Sequence, residues 1–280
     1  MKNFNRIFSF FIFIFLFSLS VAGQKIEVLS FNIRYASYDN PPQNWDQRKD
    51  GVISVMKGYD FIGLQEVVSV QMDEIGKSLE NEYSYFFRTR EANPEAGEGC
   101  PVLYNKTRWE EIRNGTFWLS ETPGTVGSNT WGAAFNRIVT FGFFRDRTSG
   151  DSVLVINTHF DHISQSAREN SIALILDRFQ ESFKKMPVVF MGDLNVTPEN
   201  PVYKAIMKGD LLTDTYNKKH PKESVKGATF HGWKADPPTE RIDYIFASRF
   251  LKVKCSRVIH DKFHGYYPSD HFPVNSKLKL

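Results

Sequence analysis

Polar groups able to do chemistry stand at the ends of apolar runs in this chain. Phe61-Ile62-Gly63-Leu64-Gln65 closes on the carboxylate of Glu66. Val153-Leu154-Val155-Ile156-Asn157-Thr158 closes on His159, and Val188-Val189-Phe190-Met191-Gly192 on Asp193, Leu194 and Asn195. Asp243 opens Asp243-Tyr244-Ile245-Phe246, and Asp270-His271 precedes Phe272-Pro273-Val274. Apolar runs of this kind read as buried strands, where a charge is costly unless it is paired or used. If these ends converge, they form a carboxylate-rich cleft containing histidine. That equipment suits metal-assisted hydrolysis at phosphorus.

Each residue type suggests a role. Glu66 and Asp270 are candidate ligands for a hard cation, which is typically held by one or two carboxylates plus water and substrate phosphate. Asn32 interrupts the first apolar run at Phe31-Asn32-Ile33. A buried amide needs a partner, and Glu66 is one. Two-residue periodicity points Asp193 and Asn195 to the same side. The carboxylate would orient a nucleophile or protonate a leaving oxygen, and the amide would donate to a phosphoryl oxygen. Asp243 and His271 fit a general base and its orienting carboxylate. His159 and Arg137 are candidate phosphate contacts, since a guanidinium matches phosphate oxygens in two-pronged fashion. The bland alternatives are a strand-end glutamate facing solvent, a structural histidine and a surface arginine. His159, Asp161 and His162 would also suit a transition metal. The carboxylates and amides elsewhere favour Mg²⁺, with Mn²⁺ as the other candidate.

These ends must be positioned by many strands and few helices. Strands are predicted at Ile26–Arg34, Phe61–Gln65, Ser84–Arg90, Val102–Tyr104, Thr116–Leu119, Arg137–Arg145, Val188–Met191, Thr229–His231, Ile242–Ala247, Val253–Ile259 and Val274–Leu278. Helices are predicted over Asp46–Met56 and Val70–Leu79. The longest follows His162, with Ser166 as N-cap and Glu169 completing a capping box, and Pro187 ending it. Asn200-Pro201 opens a short one. The excess of strands over helices favours two stacked mixed sheets flanked by helices over one parallel sheet.

Two cations precede an apolar run from Ile7 to Val21, and Ser20-Val21-Ala22 ends it in small residues. Residues 1–22 therefore read as a signal peptide, with 23–280 as one catalytic domain exported to the periplasm or the extracellular space. The formal net charge is +3, and Lys2 and Arg6 of that leader supply two of it. A nearly neutral body lacks the field of a dedicated nucleic-acid binder. Cys100 and Cys255 are the only cysteines. Export would permit a bond between them without requiring one.

The ordered set Ser30-Phe31-Asn32, Leu64-Gln65-Glu66, Asn157-Thr158-His159, Gly192-Asp193-Leu194-Asn195, Arg241-Ile242-Asp243-Tyr244 and Ser269-Asp270-His271 resembles the endonuclease/exonuclease/phosphatase (DNase I-like) superfamily. The resemblance runs from Ile26 to Val274 and is closest to the deadenylase-like branch. It implies a four-layer α/β sandwich. It also implies a divalent cation at Glu66 with Asn32 and Asp270 close by, and His271 as base oriented by Asp243. Asp193, Asn195 and His159 would then act at the phosphoryl group, with Arg137 a looser match. Arg34 stands where abasic-site enzymes of the superfamily carry an acid, which disfavours that activity. The leading expectation is a secreted Mg²⁺-dependent phosphodiesterase acting on a small diester and working as a monomer without an obligatory protein partner. A phosphomonoesterase, a lipid-headgroup hydrolase, a nuclease and a catalytically silent binding module are the alternatives. Loops 91–99 and 120–132 are the expected specificity region, with Trp131 at the lip of the cleft and Trp118 in the core.

Overall fold

The computed structural model describes residues 24–36, 43–221, 227–233 and 240–280. The leader assigned to residues 1–22 lies outside them. Two six-stranded sheets stack face to face. The first has the order β11-β12-β1-β2-β4-β3 and the second β5-β6-β7-β8-β10-β9. In the first, β1 is Lys25–Asn32, β2 Phe61–Gln65, β3 Tyr83–Phe86, β4 Val102–Asn105, β11 Lys252–Val258 and β12 Val274–Lys279. In the second, β5 is Trp109–Trp118, β6 Ile138–Asp146, β7 Ser152–His159, β8 Val188–Asp193, β9 Leu212–Asp214 and β10 Asp243–Ser248.

Each sheet has one parallel pair at its centre, β1–β2 in the first and β7–β8 in the second. Each pair is joined through a helix, as parallel strands require. α1 (Trp45–Val55) links β1 to β2 and α3 (Gln165–Lys185) links β7 to β8. With α2 (Ser69–Leu79), α1 covers the outer face of the first sheet, burying Val52, Met72 and Ile75 against Leu29, Phe31 and Leu64. α3 and α4 (Pro201–Met207) cover the second, where Ile172, Ile175, Phe179 and Phe183 meet Leu154, Ile156 and Phe190. Between the sheets lie Val28, Phe61, Val102, Trp109, Phe144, Val155, Met191 and Ile245. The result is the helix–sheet–sheet–helix sandwich predicted from the sequence.

Parallel pairing places chemistry at one end. β1, β2, β7 and β8 all finish on the same rim, delivering Asn32, Glu66, His159 and Asp193 there. β10 runs antiparallel to β8 and begins at that rim, so Asp243 pairs with Asp193. Residues 269–271 precede β12, whose first residue pairs with Ser30. Beneath the rim a polar layer ties the sheets together. Gln65 Nε2 donates to Asn157 Oδ1 at 2.7 Å, and Asn157 Nδ2 donates to the carbonyls of Leu64 and Pro101 at 2.8 and 2.9 Å.

Several boundaries differ from the sequence reading. Ser164, not Ser166, caps α3, accepting from the Ala167 amide at 3.1 Å. The true cap sits two residues earlier because Asp161 already fixes the Ile163 and Ser164 amides and sets the entry into the helix. β5 is longer than predicted, because its polar half, Glu110–Gly115, pairs fully with β6 through one bulge. Residues 229–231 are not a strand. Phe230 makes isolated bridges to Glu240 and His271. β9 and the short helix α5 (Thr215–Lys219) were not foreseen. The two cysteines are free, Cys100 buried and Cys255 on β11.

Candidate active site

Asn32 Nδ2 donates to Glu66 Oε1 and to Asp193 Oδ2, both at 3.0 Å, so one amide joins the two sheets. Its oxygen accepts from the Arg34 amide at 3.0 Å. Asn32 was expected beside the cation. Its N–H groups bond Glu66 and Asp193 and its oxygen accepts from Arg34, so it sits beside Glu66 and positions both acids. The loop that follows is stapled from behind. Arg48 donates to the carbonyls of Ile33, Arg34, Tyr35 and Pro268. The same guanidinium thereby fixes the segment carrying Asp270.

Glu66 and Asn195 both adopt left-handed backbone, with φ of 60° and 50°. Such conformations are uncommon outside glycine and cluster where a side chain must be aimed. For Asn195 this corrects the expected alternation: β8 ends at Asp193 and the chain turns there. The Asn195 amide donates to Asp193 Oδ1 at 3.0 Å, closing a small turn. The turn still brings both side chains to the cleft. Gly192 makes the approach possible. Its φ is +149°, and a Cβ would lie 2.0 Å from the Thr158 carbonyl oxygen.

His271 Nδ1 lies 2.9 Å from Asp243 Oδ2, and both groups are buried. Burial lowers the imidazole pKa, but Asp243, Asp193 and Asp270 outweigh it and hold it at about 10. Asp193 is raised as well: burial and the Asp243 charge push it up to about 7. Residues 229–232 clamp this region. Thr229 Oγ1 accepts from the Ile242 and Asp243 amides, and the His231 and Gly232 amides donate to the Asp270 carbonyl.

Across the cleft, Asn195 Nδ2 donates to the Phe160 carbonyl and lies 3.0 Å from His159 Nε2. Burial, with Arg137 and Arg90 nearby, holds His159 well below the ordinary imidazole range, so it is neutral and its Nε2 accepts. The donor expected of Asn195 is thus engaged with His159 and Phe160. Arg137 is 5% exposed, which excludes the surface-arginine alternative, and its Nε and Nη1 have no hydrogen-bond partner. Asp161, one member of the alternative transition-metal set, accepts instead from the amides of Ala134, Phe135, Ile163 and Ser164.

These residues line one cleft of about 530 Å³, within the range of small-molecule sites. The structure brings Glu66, Arg137, His159, Asp193, Asn195, Asp270 and His271 to it, with Asn32 and Asp243 immediately behind. The sequence reading missed Arg90, Phe135 and Phe230, which line it too, while Glu98 comes from the expected 91–99 loop. Only tertiary packing marks them. Phe135 is 46% exposed and lies near the Arg90 and Arg137 guanidiniums and the His162 ring. Trp131 is not at the lip: it packs against the helix-side core of the second sheet, and Phe135 takes the lip position. Trp118 is buried, as expected.

Two acidic groupings could attract a cation. Glu66 and Asp270 converge on the Arg34 guanidinium, at 3.8 and 3.9 Å. Asp193, Asp243 and His271 present ligand atoms within 4.8 Å of one another. In the second grouping His271 Nδ1 and Asp243 Oδ2 are committed to each other, while Asn32 bonds Asp193 and Glu66 alike. The first has two hard carboxylates already gathered about a positive charge. It fits a divalent cation better.

The Endonuclease/Exonuclease/phosphatase family model matches residues 29–271. An endonuclease/exonuclease/phosphatase from Bacteroides vulgatus is 31% identical, with a TM-score of 0.84 over 92% of this chain and 99% of that one. The mannosyl-6-phosphatase of Bacteroides thetaiotaomicron is 30% identical, with a TM-score of 0.82 over 91% of this chain and all of that one. Nocturnin of Drosophila melanogaster is 23% identical over 94% of this chain and 48% of its own length. The chain spans half or less of the curated relatives it matches.

Proposed function

From a chain that belongs to the endonuclease/exonuclease/phosphatase family, we propose a divalent-metal-dependent phosphomonoesterase acting on a small phosphorylated molecule. Enzymes of this family use divalent metals. Glu66 and Asp270 would hold the cation, Mg²⁺ by the hardness of the donors, and it would neutralise charge on a phosphoryl oxygen. His271 would take a proton from the attacking water through Nε2 only in its neutral form, which its value of about 10 in the metal-free protein places at alkaline pH unless a bound cation lowers it. Asp243 fixes its tautomer through Nδ1. Asp193, held at about 7, is suited to return a proton to the leaving oxygen near neutrality. Asn195 and Asn32 orient His159 and Asp193 and keep the rim assembled.

The observation that carries the ester class is Arg137. Its buried guanidinium leaves Nε and Nη1 without a hydrogen bond, with Asp161 no nearer than 3.9 Å, so it could take two oxygens of a dianionic phosphate; Arg90 beside it is already paired with Glu98. A terminal phosphate has two negative charges and a diester one. This reverses the order expected from the sequence, where the diester led. The similar mannosyl-6-phosphatase points the same way. The diester is the second reading. It is favoured by two aromatic residues of the cleft, Phe135 near Arg137 and Phe230 at 4.9 Å from His271, which would flank two substituents. The leader-like residues 1–22 support export.

The test compares p-nitrophenyl phosphate, hexose 6-phosphates and bis(p-nitrophenyl) phosphate with Mg²⁺, Mn²⁺ or EDTA. Metal-dependent release from monoesters, weakened about 100-fold or more in kcat/KM by Arg137→Ala, supports the reading. Preference for the diester replaces it with the second.

A further inference from the structure

Arg34 sits where two candidate metal carboxylates meet. Its Nη1 is 3.8 Å from Glu66 Oε2 and its Nε 3.9 Å from Asp270 Oδ2. The backbone that presents it is held independently of its side chain. Its amide donates to Asn32 Oδ1, and its carbonyl accepts from Arg48 and from Gln71 Nε2 at 2.9 Å. The residue keeps φ at 57°. The guanidinium also lies 4.5 Å from the centre of the Tyr35 ring, which gives it a second resting surface. The side chain is 28% exposed, so it has room to move into the cleft it lines.

We propose that Arg34 is a built-in counter-cation: it neutralises Glu66 and Asp270 when no metal is bound, and a divalent ion must displace it. This rests on the reading of Glu66 and Asp270 as the metal's carboxylates. Two carboxylates that face one guanidinium also repel each other. A guanidinium between them relieves that repulsion without a metal. Its presence also sets the metal's affinity, because the incoming ion must break both contacts and then tolerate a nearby positive charge.

The experiment is calorimetric titration of Mg²⁺ into the full chain stripped with EDTA, for wild type, Arg34→Gln, Arg34→Lys and Glu66→Gln, with thermal unfolding of each in EDTA and in saturating Mg²⁺. Partly exposed ion pairs contribute a few-fold each, so Arg34→Gln should bind Mg²⁺ about five- to tenfold more tightly. Its metal-free form should melt earlier, and the gain on adding Mg²⁺ should widen. Arg34→Lys keeps the charge and should stay within about twofold to threefold of wild type. If Arg34→Gln binds Mg²⁺ no more tightly than wild type while Glu66→Gln abolishes binding, the counter-cation proposal is wrong and the metal site stands. If Glu66→Gln binds as wild type does, the metal reading itself falls. Circular dichroism confirms that each variant is folded.

Discussion

Replacing Asp243 with asparagine keeps its shape and removes its charge from beside an imidazole held well above its ordinary value. His271 is held at about 10 against an ordinary value of 6.5, with Asp243 Oδ2 2.9 Å from Nδ1. Burial alone would lower that value, so the carboxylates must supply more than the net rise. The sign follows from linkage. A pKa raised in the folded state means that protonation of His271 stabilises the fold. This contribution is complete below pH 6.5 and is lost as pH rises through about 10. At about 1.36 kcal/mol per pKa unit, it amounts to roughly 5 kcal/mol at low pH, about 3 kcal/mol at pH 8 and a few tenths at pH 10. Asp193, at about 7, titrates below this range, so the cleanest window is pH 8 to 10. Urea unfolding of the metal-free protein in EDTA, at fixed ionic strength, should show wild type losing about 2 kcal/mol more than Asp243→Asn across that window. The same variant should lose about 10³- to 10⁴-fold in kcat with Mg²⁺ and the best monoester, because the imidazole loses its oriented tautomer. Equal slopes for variant and wild type would show that Asp243 does not hold the proton on His271. A kcat within tenfold of wild type would remove the base-and-orienter assignment.

Two stability predictions test how the rim is built. Gly192→Ala places a Cβ 2.0 Å from a strand carbonyl at a φ of +149°, so it should lower the unfolding free energy by at least about 3 kcal/mol in urea or prevent soluble expression; a change under about 1 kcal/mol would show that β7 and β8 separate easily there. Ser164→Ala should cost about 1 kcal/mol through loss of the α3 cap, while Ser166→Ala should cost no more than a few tenths, and the reverse order would restore the cap position read from the sequence.

The parts of the fold legible in the sequence were those fixed by local patterns. β2 and β8 are short apolar runs buried on both faces, and they announced themselves as central strands. The polar half of β5 did not, because Glu110 to Gly115 carries no apolar alternation. It becomes a strand only by pairing with β6, whose aromatic residues pack beside it. The cap of α3 was misplaced for a related reason. Ser166 and Glu169 have capping-box spacing, but Asp161 gathers the preceding amides and starts the helix earlier, a contact the local pattern does not show.

The site divides along the same line. Asn32, Glu66, His159, Asp193, Asn195, Asp243, Asp270 and His271 could be picked out because each breaks the polarity of an apolar segment, and burying such a group is costly unless something pairs with it. Their precise partners could not. Glu66 was named as a partner for Asn32, but Asp193, which the same amide reaches from the other sheet, was not. Asn195 was given a phosphoryl oxygen, but its amide hydrogens serve His159 and Phe160. Arg34 stood out only as a departure from the abasic-site pattern, Glu98 only as part of the 91–99 loop, and Arg90 and Phe135 not at all, because charged and aromatic residues in loops are ordinary. What distinguishes them is where the chain returns. Gly99 pairs with Val67, beside Glu66, and Asp161 binds the amide of Phe135, so two loops remote in sequence are carried to the rim the strands define. The catalytic acids and base are therefore set by the strands, which the sequence specifies strongly. On the proposed reading, substrate choice would fall to those two loops, since in a shared scaffold it is there that one ester can be exchanged for another.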